Sequence, residues 1–351
     1  MRAVLWTGIP FNVSVQDLSV PSIQSPTDVL VRMTAAAICR TDLHVYHCVY
    51  RRSRGSWATR SLQVGDHLVI PDMLDPGPLN MALVKSEAKL GLSFGWGKDS
   101  RRIYGTQAEY IVVPYAEKSL IPIPANTTEE TEISYLFLSD IFATGWTAVI
   151  FSGFEAGDTV AIFGAGPRCF ARVYVVDSVP ARLDRARSIG AIPIPLNGTG
   201  GPARQILDLE PNGVTRSVDC VGFEAANSTL ERQENTIVVD MVNITSQRGG
   251  MGTVGVYAAP GYSEGTPLAR NDAGVVEFPV ADFFGKGLTW RVGGVDPKVV
   301  APELEELITS RGGNLDFIVS SVIGIEEALD FYGRFDSHEE IRLLFGFLRL
   351  G

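Results

Sequence analysis

Short apolar runs, many of them β-branched, alternate with turn residues over the first 139 positions of the chain. Residues 29–33, 67–70 and 108–113 are such runs, and Pro, Gly and Asp separate them. Segments with a helical period are scarce here. The pattern therefore predicts a β-rich region.

The pattern changes near residue 140, where apolar runs begin to alternate with segments of helical period. Strands are predicted at residues 159–163, 172–176, 217–221 and 253–257, and helices at 141–149, 180–189 and 203–209. This alternation predicts an α/β fold whose parallel sheet carries helices on its faces. A strand at 288–292 and helices near 302–309 and 325–334 follow. We expect two domains, one made of residues 1–139 and 286–351 and one of residues 140–285.

A glycine turn between the first two strands of the second domain predicts a dinucleotide site. Gly164, Gly166 and Pro167 follow the first strand, and the second strand ends on Asp177. Glycines let the backbone approach a pyrophosphate, and the acid can bind both hydroxyls of the adenosine ribose, which favours NAD over NADP. Alternatively, Asp177 is a turn residue that ends a strand.

The same stretch lacks part of the dinucleotide pattern. Only residues 167–171 separate the turn from the next strand. Parallel neighbours need a crossover of about a dozen residues, usually a helix. We therefore expect the crossover helix to be missing, the cofactor to bind more weakly and the sheet face that this helix would cover to be exposed.

Composition narrows the possible partners. The chain has 351 residues, of which 45% are hydrophobic, and a formal net charge of −10. Nucleic acids and anionic membranes bind clustered Lys and Arg, so this charge argues against both. The four cysteines show no CxxC spacing and predict neither a disulfide framework nor a four-cysteine zinc site. No apolar run reaches the roughly 20 residues of a membrane span, and the N-terminal residues predict a strand, so we expect a cytoplasmic protein.

Several motifs, in one order along the chain, resemble the zinc-dependent medium-chain alcohol dehydrogenases. They are the β-rich start, ICRTDLHVYH at 38–47, TQAEYIVVPYAE at 106–117, LSDIFATGWTA at 138–148 and FGAGP at 163–167. LSDI, AEY and VDCVGFEA at 218–225 look closest to the glutathione-independent formaldehyde dehydrogenase branch. The resemblance implies a GroES-like catalytic domain and a Rossmann-type, doubly wound NAD-binding domain.

The resemblance also implies a metal centre. Cys39 and Asp140 match positions of catalytic zinc ligands, and Thr41 and His44 match the relay that carries the alcohol proton towards solvent. Zinc lowers the pKa of a bound hydroxyl and so prepares an alcohol to give up hydride. Alternatively, Cys39 is a small core residue, His44 lies on the surface and Asp140 caps a helix.

The cofactor positions that the resemblance implies extend beyond the glycine turn. Thr144 would line the nicotinamide side of the cleft, and Arg182 could stack on the adenine or remain an exposed helix residue. Val221 and Tyr257 complete the set of predicted NAD contacts.

Two departures from the family pattern complicate this prediction. The family carries a Gly-His-Glu motif soon after the Cys39 segment, and this chain has none; YRRSRGSWATRSLQ occupies the corresponding region. Cys39 and Asp140 alone fall short of the three protein ligands that catalytic zinc uses. The missing crossover helix is the second departure.

We therefore predict a zinc- and NAD-dependent dehydrogenase of small alcohols or aldehydes, with an incomplete set of zinc ligands, that assembles as a homodimer or homotetramer. One alternative is a catalytically inactive family member, or the product of a faulty gene model, that acts at most as a binding module. A zinc-free reductase of the quinone or enoyl type is a further alternative.

Overall fold

The computed structural model describes residues 1–6, 8–39, 42–43, 46, 62–74, 92–94, 105–164, 172–257, 276–310 and 315–347. This part of the chain divides into two units. Unit 1 contains residues 1–143 and 296–347, and unit 2 contains residues 144–257 and 276–295.

The first part of unit 1 consists mostly of short strands. They are β1 (Arg2–Trp6), β2 (Val13–Asp17), β3 (Val29–Arg32), β4 (Ala35–Ile38), β5 (Leu68–Val69), β6 (Met73–Leu74), β7 (Leu92–Ser93), β8 (Tyr110–Val113) and β9 (Ile121–Pro122). The helices α1 (Ala116–Ser119) and α2 (Glu129–Leu136) follow, with a 3-10 turn at Phe137–Ser139. The next helix, α3 (Ile141–Phe151), begins in unit 1 and has most of its residues in unit 2. The predicted β-rich region is confirmed.

Unit 2 alternates strands with helices, as the sequence predicts. Its elements are β10 (Thr159–Phe163), β11 (Arg172–Asp177), α4 (Pro180–Ser188), β12 (Ile192–Pro195), α5 (Gly201–Leu209), β13 (Val214–Asp219), α6 (Thr236–Ile244), β14 (Thr245–Thr253), α7 (Val280–Lys286) and β15 (Thr289–Val292). The chain then returns to unit 1 with α8 (Pro297–Ser310), β16 (Ser321–Ile323), α9 (Ala328–Asp336) and β17 (Leu343–Gly346).

The core of unit 1 contains strands from both the N-terminal and the C-terminal part of the chain. β17 lies between β16, which is parallel to it, and β4, which is antiparallel and pairs Leu343 with Ile38. Alternate side chains of these strands point into one apolar cluster, as the two-residue period of a strand requires. The cluster includes Ile38, Ile111 and Phe345, all almost fully buried.

Unit 2 is built on a parallel sheet with the strand order β12-β11-β10-β13-β14-β15. In order along the chain this is 3-2-1-4-5-6, the arrangement of doubly wound dinucleotide-binding folds. The order reverses between β10 and β13, so the carboxyl ends of these two strands flank the crevice where such folds bind ligands. The predicted parallel sheet with helices on its faces is confirmed.

Both faces of the central strands are buried. Val160 and Ile162 of β10 and Val175 of β11 pack on one side with Ala148, and Ala161 and Phe163 contribute to the cluster on the other side. The prediction that one face would be exposed is wrong, because Val160, Ile162 and Val175 are at most 1% exposed. α3 and α4 supply residues to this side. The predicted loss of the crossover helix concerns residues 165–171, which lie outside the described residues.

Glycines let β14 pack directly against the backbone of α3. A Cβ atom added to Gly250 would lie 1.9 Å from the Ser152 carbonyl oxygen, and one added to Gly252 would lie 2.1 Å from that of Ala148. No side chain fits in such a space, so the strand requires glycine at both positions.

Two element boundaries differ from the sequence expectation. The strand predicted at 253–257 is instead β14, which ends at Thr253. Its first half, TSQR, is polar and carries no strand signal; it pairs with β13 through Thr245, and the register then shifts before pairing resumes at Gly250. The helix predicted at 325–334 begins as a 3-10 turn at Ile325–Glu327 and continues as α9.

The helices of the described residues are short compared with a membrane span. Within the described ranges, no single helix is long and apolar enough to cross one. Two consecutive helical segments, Thr131–Ser139 and Ile141–Phe151, reach the length and apolar composition of a membrane span only when they are counted together, and a 57° bend separates them.

Candidate active site

The first cluster of polar residues in unit 1 lies where β4 ends. The backbone N–H of Cys39 donates to Oδ2 of Asp42 at 2.7 Å, and the N–H of Asp42 donates back to the Cys39 carbonyl at 3.1 Å. This reciprocal turn fixes the thiol next to the carboxylate. Burial raises the pKa of the Cys39 thiol, the negative charges of Asp42 and Asp140 raise it further, and the Arg342 guanidinium opposes them.

Burial also raises the pKa of the Asp42 carboxyl, against the hydrogen bonds from Cys39 and the positive charge of Arg342. The two acidic groups thus share one low-dielectric environment. A free thiol whose pKa is raised is a weak nucleophile, since the thiolate is the reactive form. In the absence of a bound cation, Cys39 is therefore suited to packing and not to covalent catalysis.

Arg342 brings a positive charge to this cluster. Its Nη2 lies 3.9 Å from Oδ2 of Asp140, and its guanidinium is about 6.0 Å from the centre of the Phe137 ring. Arg342 is 7% exposed. The sequence analysis missed this residue, although an arginine directly before the apolar run LLFGF was a signal of an unusual buried charge.

A cavity of about 400 Å³ opens beside the cluster within unit 1. Cys39, Asp42, Asp140 and Arg342 line it together with a larger apolar set, which includes Trp6, Tyr46, Phe94, Leu344 and Phe345. Volumes of this size are typical of small-molecule sites.

A second hydrogen bond stiffens the polar wall of this cavity. The Tyr332 hydroxyl donates to Oε1 of Gln107 at 2.8 Å, and both residues line the cavity. Burial, with the nearby negative charge of Asp42, raises the pKa of Tyr332 well above its usual value. Tyr332 therefore remains a neutral donor.

The predicted metal ligands are only partly supported by this geometry. Cys39 and Asp140 lie in the same cluster, but among the described residues no group of three His, Cys, Asp or Glu side chains could hold a metal ion. The predicted relay residues Thr41 and His44 lie outside the described residues. Their roles stay predictions.

The glycine turn of unit 2 lies at the point where the strand order reverses. Gly164 ends β10 with φ +91°, a conformation that favours glycine. A Cβ added there would lie 3.3 Å from Cγ2 of Val221 and 3.4 Å from Cβ of Cys220. The Gly164 N–H donates to the Val176 carbonyl, one residue before Asp177. The glycine and the acid are therefore adjacent at the carboxyl edge of the sheet.

Asp177 holds the start of α4. Its Oδ1 accepts from the N–H of Val179 at 2.9 Å, and its Oδ2 lies 3.7 Å from Nη1 of Arg182. The Asp177 side chain is 9% exposed and that of Arg182 18% exposed. Arg182 is thus beside the carboxylate rather than an isolated surface residue.

The remaining predicted cofactor residues are distributed along the same unit. Thr144 lies in α3 and Val221 follows β13, both partly exposed. The Tyr257 hydroxyl donates to Oδ2 of Asp219 at 2.9 Å, so this tyrosine joins the loop after β14 to the end of β13. Gly166 and Pro167 lie outside the described residues.

Asp219 organises the end of β13 and was also missed from the sequence. Its Oδ1 accepts from the N–H groups of Val221 and Gly222 at 2.8 and 3.0 Å. Burial raises its pKa, and burial with the charge of Asp219 raises the pKa of Cys220 to about 12. The strand end behind Gly164 is consequently rigid and contains an unreactive thiol.

The chain is similar to several known dehydrogenases. No protein-family model matches the chain. It is 27% identical over 339 residues to a zinc-type alcohol dehydrogenase-like protein of Schizosaccharomyces pombe, covering 84% of this chain and 78% of that one. It is 26% identical over 383 residues to the glutathione-independent formaldehyde dehydrogenase of Pseudomonas aeruginosa, covering 96% and 95%.

A solved structure agrees with both the fold and the sequence. The alcohol dehydrogenase of Thermus sp. ATN1 superimposes with a TM-score of 0.79 at 27% identity, and 99% of each chain is covered. This agreement confirms the α/β fold class and the resemblance drawn from the motifs. Over nearly its whole length, the chain is therefore similar to zinc-type alcohol dehydrogenases.

Proposed function

We propose that this protein is an NAD-dependent oxidoreductase that interconverts small alcohols and aldehydes. The observation that carries the proposal is that Gly164 and Asp177 lie next to each other at the carboxyl edge of a sheet with dinucleotide-binding strand order. The names of the relatives supply the reaction class. NAD would accept a hydride from the alcohol carbon, and the hydroxyl proton would pass to solvent.

The residues of unit 2 fit NAD. A Cβ at Gly164 would lie 3.3 Å from Cγ2 of Val221, so glycine lets the turn pack closely against the end of β13, and a glycine turn at this place would let the backbone approach a pyrophosphate. The Asp177 carboxylate would bind both ribose hydroxyls and repel a 2′-phosphate. We propose further contacts from Thr144, Gly166, Pro167, Arg182, Val221 and Tyr257. When bound, the nicotinamide supplies the hydride acceptor.

Zinc fits less well. Zinc is the metal in the names of the relatives, and Cys39 and Asp140 are the residues of this chain proposed to bind it. Catalytic zinc uses three protein ligands, and the described residues bring only these two together, with Arg342 close to one of them. The described residues do not by themselves form a zinc site. Thr41 and His44 remain the proposed proton relay.

The incomplete ligand set favours a second candidate. An inactive family member that keeps the fold and binds NAD without turnover would need Gly164 and Asp177 but no metal. Both the active dehydrogenase and the inactive protein would bind NAD. Only the active dehydrogenase would convert an alcohol or an aldehyde, so a turnover assay distinguishes them.

We also propose assembly into a homodimer or homotetramer. β15 is an edge strand of the six-stranded sheet, and Arg291 and Val292 on it are exposed. An open edge of this kind is a template for pairing with another strand.

Fluorescence titration with NADH, followed by turnover assays on primary alcohols and aldehydes, tests the proposal. We expect saturable NADH binding that weakens about tenfold in Asp177→Ser, since the ribose loses a charged acceptor. Asp184→Ser on the exposed side of α4 is the matched control and should bind as the wild type does. No saturation, or equal affinity in both variants, would contradict the proposed NAD site. Binding without turnover of any alcohol or aldehyde would favour the inactive candidate.

A further inference from the structure

Asp219 joins the loops that follow β13 and β14. It is the last residue of β13 and is fully buried. Its carbonyl oxygen accepts from the N–H groups of Val254 and Gly255, at 3.0 and 3.2 Å, in the loop after β14. The Tyr257 hydroxyl, further along that loop, donates to Oδ2 of Asp219 at 2.9 Å. Asp219 therefore holds the loop after β14 through both its backbone and its side chain.

The backbones of these two loops are also in direct contact. The Phe223 N–H donates to the Val256 carbonyl at 2.9 Å. A Cβ added to Gly222 would lie 2.3 Å from the Val256 carbonyl oxygen, and one added to Gly255 would lie 2.3 Å from the Gly222 nitrogen. No side chain fits at either glycine, so the two loops can pack this closely only with glycine at both positions.

The loop after β13 forms one wall of the crevice at the reversal of the strand order. Oδ1 of Asp219 accepts from the N–H groups of Val221 and Gly222 at 2.8 and 3.0 Å. Cγ2 of Val221 would lie 3.3 Å from a Cβ at Gly164, in the glycine turn after β10. One carboxylate thus connects Tyr257 to the side chain that packs on the glycine turn.

The Tyr257 hydroxyl stabilises this carboxylate in its charged form. Burial raises the pKa of Asp219, and the hydrogen bonds from Val221, Gly222 and Tyr257 oppose that shift. Hydrogen bonds to a charged group are stronger than those between neutral groups, and a buried group that loses its donor is destabilised. Without the hydroxyl, the carboxylate would be held less firmly, and the loop after β13 would open more often.

We propose that Tyr257 is a positioning residue for NAD, whose hydroxyl fixes the Asp219 carboxylate and thereby holds Val221 at the edge of the cofactor crevice. The inference deepens the proposed function and rests on it for the identity of the cofactor. It assigns the hydroxyl to Asp219, so any contact between Tyr257 and the cofactor comes from the ring.

NADH titration of the full-length Tyr257→Phe variant tests the inference, because this substitution keeps the ring and removes the hydroxyl. We expect NADH affinity to fall about tenfold. Tyr174→Phe is the matched control. The Tyr174 hydroxyl also donates to a carboxylate, that of Glu210 at 2.8 Å, but Glu210 precedes β13 and lies at the opposite edge of the sheet. The control should bind NADH as the wild type does.

Hydrogen–deuterium exchange without NADH measures the positioning itself. The amides of Val221 and Gly222 should exchange at least about tenfold faster in Tyr257→Phe than in the wild type, whereas those of Val160 and Ile162 in β10 should not change. A merely structural role would accelerate both sets of amides and leave NADH affinity unchanged. That result would overturn the inference.

A double-mutant cycle with Asp219→Asn separates positioning from direct contact with the cofactor. If Tyr257 acts through the carboxylate, Tyr257→Phe should weaken NADH binding by only about threefold or less in the Asp219→Asn background. A tenfold loss that persists there would show that the hydroxyl acts on the cofactor directly and would overturn the inference. If Asp219→Asn does not fold, the exchange of Val221 and Gly222 in Tyr257→Phe decides.

The same titrations distinguish this inference from the proposed function. Saturable NADH binding by the wild type and equal affinity in Tyr257→Phe would overturn the inference alone. A wild type that does not bind NADH would contradict the proposed function, and the positioning role would fall with it.

Discussion

Arg342 and Asp140 form an ion pair at 3.9 Å in which the arginine is the more deeply buried partner. Asp140 follows the 3-10 turn at Phe137–Ser139, and Arg342 immediately precedes β17, so residues about 200 positions apart in the chain meet at one cavity. A buried guanidinium is stable only while some negative charge remains near it. Asp140 is therefore a structural partner of Arg342, whatever else it binds.

Neutralising Asp140 should destabilise unit 1. We expect Asp140→Asn to lower the free energy of unfolding by about 1–2 kcal/mol, because Arg342 keeps its charge and loses its compensation. Urea denaturation measures the change. Glu339→Gln, which removes a carboxylate 3.7 Å from the exposed Arg334, is the control and should cost less than about 0.5 kcal/mol. Equal losses in the two variants would show that Arg342 does not depend on Asp140.

The backbone at Gly164 should be sensitive to a single methyl group. Gly164→Ala places a Cβ 3.3 Å from Val221 at a positive φ, so we expect a stability loss of about 1–2 kcal/mol and NADH affinity reduced about tenfold. Gly153→Ala isolates the backbone effect, since Gly153 also has a positive φ but nothing lies within 4 Å of its Cβ position. That control should lose about 1 kcal/mol of stability and bind NADH normally. A Gly164 variant with unchanged NADH affinity would argue against close approach of the cofactor.

The contact between β14 and α3 should tolerate no side chain. We expect Gly252→Ala to destabilise the protein by about 3 kcal/mol, because the new Cβ would lie 2.1 Å from the Ala148 carbonyl oxygen and the helix would have to move. Gly333→Ala in α9, where the Cβ meets nothing within 4 Å, should instead stabilise by about 0.5–1 kcal/mol. Thermal denaturation of both variants checks the sign of each change. A mild effect of Gly252→Ala would contradict the packing of β14.

Asp240 in α6 should make stability depend on pH. Burial raises the pKa of its carboxyl from 3.8 to about 6. The folded state therefore binds the proton more tightly than the unfolded state, and this contribution is complete below the unfolded pKa and lost as the pH rises to about 6. Asp240→Asn removes the charge, so its gain in stability over the wild type should grow from about pH 4 to pH 7, by at most about 3 kcal/mol.

The exposed Asp208, which pairs with Arg204, provides the control for this experiment. We expect the stability difference between Asp208→Asn and the wild type to change little over the same pH range. Urea denaturation at several pH values gives both curves. A constant difference for Asp240→Asn would show that its carboxyl is not desolvated.

The fold of unit 2 was largely predictable because its signals are local. β10 and β11 are apolar runs with glycine and acid at their ends, and α4 starts at Pro180, a residue whose fixed φ suits the first turn of a helix. Asp177 was found for the same reason. Arg342 was not found, because its place in this cluster depends on pairing between β17 and β4, from opposite ends of the chain. Asp219 was missed because its role is to hold two backbone N–H groups in a loop that has no local pattern.

The strand order of unit 2 also determines which of its backbone hydrogen bonds open first. β14 contains glycines and a polar first half, which would make it a weak strand in isolation, yet it lies between β13 and β15 and pairs with both. In heavy water, the amides of β13 and of the second half of β14 should exchange deuterium slowly, whereas those of the edge strand β12 should exchange sooner. The slowest exchange in unit 2 would then be found in the strands next to the point where the strand order reverses. A ligand that binds at this point would contact strands that are already rigid in the free protein.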